Sequence, residues 1–120
     1  MSNAVLLVYT NCPAEREAEF NRWYDEVHIP DLLREVPGIE AARRYRLSGP
    51  APAMQLRDGS SAVAQYLAVY EITTDDTRGF MRRITEVSQD LGRRGRMFDG
   101  LQLVAAVTYT ALGERQTAPA

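Results

Sequence analysis

The 120-residue chain contains no lysine; its fourteen basic residues are all arginine, and it has one histidine, one cysteine and one tryptophan. Each shortage excludes a chemistry. Without a lysine amine, no side chain can form a Schiff base with a carbonyl substrate or with pyridoxal phosphate. A single histidine and a single cysteine rule out three-histidine, two-histidine-one-carboxylate and paired-cysteine metal sites within one chain, so no metal is expected. Cys12 has no second thiol to pair with, which suits a reducing compartment. There is no apolar run of about 18 residues and no signal-like start, so the chain reads as soluble and cytoplasmic, without a membrane partner. The net charge of -2 and pI near 5.4 lack the cationic footprint that holds phosphates, so no nucleic-acid partner is expected. With 45% hydrophobic and 25% charged residues, the length suits one domain that buries roughly two thirds of its unfolded surface.

VLLVY, Val5 to Tyr9, is short, apolar and β-prone, and the NCP that follows is a turn signal. The spacing of Phe20, Trp23, Tyr24 and Val27 predicts a helix from about Pro13 to His28, with Asn11 or Cys12 at its cap. Pro30 lacks an amide proton and its ring opposes the Glu26 carbonyl, so the helix is expected to stop there, with PDLLREV adding one or two turns before Pro37-Gly38. IEAARRYRL, 39–47, reads as a strand, 48–61 as a long loop, and AVAQYLAVYEI, 62–72, as a third strand. A second helix begins near Thr74, carries the stripe Phe80, Met81, Ile84, Val87 and Leu91, and is expected to end at Gly92. LQLVAAVTYT, 101–110, is a fourth strand with Leu101, Leu103, Ala105, Val107 and Tyr109 on one side.

This order predicts an α+β domain of ferredoxin-like βαββαβ topology over residues 1–112, with 113–120 a flexible C-terminal tail. Both helices fall on one face of an antiparallel sheet, and the apolar residues left on the other face suggest a homodimer packed sheet to sheet.

Asn21, Tyr24, Asp25 and His28 share a helix ridge three and four residues apart. His28 is the candidate acid or base, because imidazole titrates near neutrality, with Tyr24 beside it and Asp25 or Asp31 to orient it. The alternative is a histidine that caps free carbonyls at a helix end. Trp23 offers an apolar wall, or is simply core. Tyr66 and Tyr70, with Tyr9 and Tyr109, could ring a cavity with hydroxyls or merely line the core and its rim. Arg43 and Arg44 point to opposite faces of their strand, so at most one enters a given pocket; Arg44 is the substrate-binding candidate. Arg93, Arg94 and Arg96 could grip an anion or complement a helix end. Cys12 could be an activated thiol or an inert one.

The stretch FNRWYDEVHIPDLLREVPGIEAARRYRL, Phe20 to Leu47, resembles the dimeric α/β-barrel proteins of the EthD-like group, in which a helix ending in histidine-x-proline precedes a VPG turn and an arginine-bearing strand. YLAVYEI, 66–72, resembles that group's third strand. The resemblance implies a cavity between helices and sheet in each subunit, with His28 as its polar group. Such folds host cyclases, isomerases, cofactor-free monooxygenases and haem enzymes, so the fold does not name the reaction. The leading expectation is a cofactor-free enzyme that cyclises, dehydrates or isomerises an aromatic or polyketide-like small molecule, with His28 as acid or base and Tyr24, Tyr66 or Tyr70 polarising an oxygen. A non-catalytic accessory dimer holding an apolar ligand stands second, and a haem or oxygen enzyme with His28 as axial ligand stands third.

Overall fold

A computed structural model of the chain describes residues 2–50, 54–56 and 58–120. Strand β1 runs over Ser2–Asn11, and after a 3-10 turn at Ala14–Arg16 comes helix α1, Glu17–Trp23. A π-helical turn, Tyr24–His28, leads into α2, Ile29–Glu35. Then follow β2 (Ile39–Arg46), the short strands β3 (Met54–Gln55) and β4 (Ser61–Ala62), β5 (Tyr66–Thr74), α3 (Thr77–Arg93) and β6 (Gln102–Thr110). Four strands form one antiparallel sheet in the order β2-β5-β1-β6, the expected ferredoxin-like arrangement.

Pro30 does not stop the helix. His28 and Ile29 both keep right-handed helical angles, and Pro30 enters the first turn of α2, where a missing amide costs nothing. The π turn makes this possible. The Ile29 amide reaches back five residues to the Tyr24 carbonyl, and the widened turn absorbs the mismatch that a proline ring would otherwise force into a break. The extra residue also shifts the helical phase, so Tyr24, His28, Asp31 and Leu32 all turn inward. His28 was expected at the edge of the core, half exposed; it is 7% exposed.

The other departures have local causes. Asn11 does not cap the first helix, because its side chain accepts from the Gln65 amide (2.7 Å) and donates to the Val63 carbonyl (3.0 Å). Pro13 occupies that cap position, with no side-chain bond. Gly92 lies within α3, and Gly95, at φ 72°, closes the helix. The Arg96 amide donates to the Leu91 carbonyl (2.9 Å) and that of Gly95 to Gly92 (3.1 Å), a Schellman closure that needs the left-handed residue. At the start of α3, Asp76 accepts from the Gly79 amide (2.9 Å). The expected loop at 48–61 holds the β3–β4 hairpin, while its residues 51–53 and 57 lie outside the described residues.

The core lies between the helices and one sheet face: Phe20, Tyr24, Leu32 and Val36 from the first helical run and Phe80, Val87 and Leu91 from α3 close on Leu6, Tyr66, Tyr70 and Ile72. Each such side chain contributes roughly 1.5–3 kcal/mol through burial. The opposite face carries Val5, Leu7, Leu67 and Val69 in the register of β1 against β5 and is covered by no helix among the described residues, the β3–β4 hairpin lying beside it; Tyr45, Val107 and Tyr109 stand exposed there. A register shift between Tyr9 and Thr10, which pair with Ala105 and Leu103, breaks the alternation of β6. Leu101 and Leu103 therefore reach the helix side, while Ala105, Val107 and Tyr109 face the bare side. The tail from Gly113 is exposed and has neither helix nor strand. Among the described residues, no helix is long and apolar enough to cross a membrane.

Candidate active site

A cavity of about 170 Å³ lies between sheet and helices. Leu6, Val8 and Thr10 of β1 and Tyr70 of β5 form its floor, and Ile84 and Ser88 of α3 one wall. Tyr24, His28 and Leu32 form the other, with Met97 and Leu101 at the side. The lining is almost wholly apolar, so the polar atoms that enter it stand out.

The imidazole of His28 is held by two rings. Trp23 stacks on it, with centroids 4.6 Å apart and planes 20° apart, and Tyr24 meets it edge-on at 5.0 Å and 88°. Its Nδ1 is buried without a hydrogen-bond partner among the described residues. Such a group loses its water without replacement, a cost that persists where the atom serves a function. Burial pushes the imidazole pKa down to about 4, although the negative charge of Asp31 works the other way. His28 is thus neutral at physiological pH, with one ring nitrogen free to accept a proton.

Two buried hydroxyls accompany it. Tyr70 donates to the Tyr24 hydroxyl at 3.4 Å, which leaves the Tyr24 proton free to donate elsewhere. Burial raises the pKa of Tyr24 against the opposing effects of its bond to Tyr70 and of Arg44, and burial also drives that of Tyr70 well up. Both are neutral donors. The Arg44 guanidinium sits over the outer face of the Tyr24 ring, 4.5 Å from its centroid, pinned by Asn21 Oδ1 (2.8 Å) and Asp25 Oδ1 (3.1 Å).

The expected site residues therefore fall into two groups. Tyr24, His28 and Tyr70 meet at the cavity, with Trp23 directly behind His28. Asp25, Arg44 and Tyr66 line a polar groove on the outside, where Asp25 pairs with Arg44 and the Tyr66 hydroxyl donates to Glu17. Asp25 does not reach His28. Tyr9, opposite Leu67, and Tyr109, opposite Val5, belong to the bare sheet face.

The carboxylate nearest to His28 in charge is that of Asp31, which is 1% exposed. Arg96 grips it with two bonds, Nε to Oδ2 at 2.6 Å and Nη2 to Oδ1 at 3.0 Å, and Arg34 adds another. These bonds, that from Arg96 first, hold its pKa below the usual carboxylate range. Arg94 pairs with Glu35 (2.6 Å) and Asp90 (3.0 Å), and Arg93 with Asp90 (3.5 Å), so the arginine run serves internal carboxylates. Burial and Glu17 raise the Cys12 thiol above its ordinary pKa, which makes it a poor nucleophile.

Sequence reasoning passed over Thr10, Ser88, Met97 and Leu101, which line the cavity, and the Asp31–Arg96 pair, whose members are 65 residues apart. A larger hollow of about 440 Å³ lies by the β3–β4 hairpin, walled by Tyr9, Tyr45, Leu67, Met54 and Val63. It borders the bare sheet face. Arg46, its one charged lining residue among those described, pairs with Tyr66 across β2 and β5 and carries its guanidinium toward Glu17, while the histidine lines the smaller pocket.

The chain matches no protein-family model and no curated protein. Solved structures do share its fold. HapK from Hahella chejuensis superposes with a TM-score of 0.60 at 15% identity, covering 97% of this chain and 99% of that one. A protein from Shewanella loihica PV-4 described as a candidate monooxygenase gives 0.55 at 13% identity, over 95% and 99%. An EthD family protein from Bacillus halodurans C-125 gives 0.51 at 19% identity, over 97% and 100%. The likeness of Phe20–Leu47 to EthD-like proteins thus holds for the fold, a two-helix layer on an antiparallel four-stranded sheet.

Proposed function

We propose that this chain is a small enzyme that moves a proton within a single-ring aromatic or polyketide-like metabolite, with His28 as the base. The observation that carries this reading is a neutral, buried imidazole with an unpartnered Nδ1, on a residue that lines an apolar pocket together with Tyr24 and Tyr70. The chamber sets the size of the substrate. A dry cavity of ~150 Å³ takes one benzene-sized ring, so about 170 Å³ suits a single-ring substrate. A porphyrin does not fit, and haem ligation by His28 finds no support in this geometry.

The depressed basicity of His28 sets the acidity of the substrate. Transfer from a phenol-like acid of pKa near 10 to an imidazole near 4 costs about 8 kcal/mol, within the reach of enzyme barriers. The α-hydrogen of a simple ketone, a far weaker acid, is beyond it. The suitable substrates are phenols, enols and 1,3-dicarbonyls, the functional groups of polyketides. In the step, His28 takes the proton from carbon or oxygen and becomes imidazolium, while the electron pair moves onto the neighbouring carbonyl oxygen. Tyr24 donates a hydrogen bond to that oxygen, itself supported by Tyr70. The imidazolium, a strong acid in this surround, returns the proton to a different atom, which isomerises the substrate, or gives it to a departing hydroxide, which dehydrates it. Trp23 keeps the ring of His28 in plane. Arg44 and Asp25 support Tyr24 from outside, and Tyr66 closes that rim.

The bare sheet face, with Val107 and Tyr109 exposed, is proposed to pack on a second copy. The keto–enol relaxation of acetylacetone, a 1,3-dicarbonyl of about the size of one ring, tests the chemistry by ultraviolet absorbance. The wild type should accelerate it over buffer and His28→Gln should not. Equal rates for the two proteins would leave a binding protein without catalysis, the accessory role.

A further inference from the structure

The His28 pocket opens at the edge of the sheet. Leu103, one of its lining residues, is 62% exposed, and its strand, β6, is an outermost strand of the four. Beyond that edge lies a second hollow of about 580 Å³, between β6 and the β3–β4 hairpin. Leu103 and Ala106 line both. Ala106, opposite Val8, faces the helices, whereas Ala105, opposite Tyr9, faces the bare side, so the second hollow wraps around the strand edge and meets the pocket there. The two make one track from His28 to the hairpin. On the β6 side it is walled by LVAAV, Leu103 to Val107, five consecutive residues without a polar side chain. Open edge strands are ordinarily guarded by charge or proline, because bare ones pair with other chains, and this stretch has neither. On the hairpin side the turn is closed by its own bonds: the Leu56 amide donates to the Ser60 carbonyl (2.7 Å), the Gly59 amide to the Leu56 carbonyl (3.0 Å), and the Asp58 carboxylate accepts from the Ser60 amide (2.9 Å). Those bonds leave the Leu56 side chain as the hairpin's apolar wall.

We propose that the substrate carries an alkyl or acyl tail, which leaves the His28 pocket over Leu103 and lies between β6 and the hairpin. The proposal rests on the function proposed above and adds a second recognition element: the pocket takes the ring and the hollow takes the chain. A charged tail would lose its water against LVAAV and gain no side-chain partner from it, so the chain is a hydrocarbon one.

The test is a homologous series, phenol, 4-ethylphenol and 4-butylphenol, titrated into the full-length protein at neutral pH. Binding is read from the Hε1 resonance of the one histidine. Full burial of a methylene tightens binding roughly fourfold, and partial burial in an open groove about twofold to threefold. The Kd of 4-butylphenol should therefore lie about thirtyfold below that of phenol. Val104→Asp and Leu56→Asp, which put a charge in the hollow but not in the pocket, should each shrink that ratio to within about threefold. Leu33→Asp, at an exposed leucine that lines neither hollow, should keep it. If Val104→Asp folds poorly, Leu56→Asp decides, since Leu56 stands outside the four-stranded sheet. A wild-type ratio near one, with phenol still bound, would overturn the tail and leave the pocket reading standing; a second copy seated on β6 would give this result by filling the hollow. A ratio that survives both substitutions would also overturn it, because the chain then binds elsewhere. No Hε1 response of the wild type to any of the three phenols would overturn both readings.

Discussion

Acidification should loosen this protein through His28, because burial disfavours its charged form. In the unfolded chain the imidazole titrates near 6.5; in the fold, burial pushes it down to about 4. Between these values the unfolded state binds a proton that the native state refuses. The stabilisation is therefore whole above about 6.5, drains as pH falls toward 4, and changes no further below that, where both states are protonated. The slope is about 1.4 kcal/mol per pH unit and the total about 3 kcal/mol, a large share of the 5–15 kcal/mol typical of a domain. Urea unfolding followed by Trp23 emission, at pH steps from about 7.5 to about 4.5, measures it. Carboxylates titrate in the same range, so His28→Gln is run alongside and the difference isolates the imidazole. A fixed offset between the proteins carries no weight; the reasoning concerns the slope. Parallel profiles for wild type and His28→Gln would refute it, because they would mean that His28 is protonated alike in both states.

Three further outcomes follow from the same structure. Arg96→Ala should lower Tm by several degrees and by more than Asp31→Asn does: the first leaves a carboxylate that is 1% exposed with Arg34 as its one remaining cation among the described residues, whereas the second leaves a guanidinium that is 43% exposed and free to enter water. Gly95→Ala should cost about 1 kcal/mol in chemical denaturation, since its φ of 72° strains any side chain although the space is open. Val107→Asp should yield monomers in sedimentation where the wild type forms dimers, if the bare sheet face is the contact between copies; a monomeric wild type would refute that packing.

The strands, the α3 stripe and the sheet topology were legible because period and turn chemistry are local and agree with the tertiary solution. The π turn was not, because a proline signals a break by sterics that assume a regular turn, and one residue of slack at Tyr24–His28 removes the clash. That slack decides the site. It converts a half-exposed histidine at a helix end into a buried one, and it is the reason that His28 and Tyr24 meet over the sheet. The β6 irregularity escaped for a similar reason, since alternation read from Leu101 to Tyr109 assumes an unbroken ladder. Gly92 and Gly95 both read as stops for α3, and only the backbone angle separates them. Asp25 stood one turn from His28 in sequence terms but was drawn to Arg44 on the neighbouring strand, while the carboxylate that does act on His28, Asp31, is held by an arginine far along the chain. Long-range ion pairs leave no periodic trace.

The central claim is that the one imidazole of this chain is buried, neutral and part of a pocket that takes a small ligand. Because there is a single histidine, its Hε1 resonance can be followed without assignment from about pH 7.5 to about pH 3.5. The account predicts a shift that stays flat through neutrality, titrates near 4 and moves when 4-nitrophenol is added at pH 7. A midpoint at or above 6.5, with no response to the ligand, would contradict it.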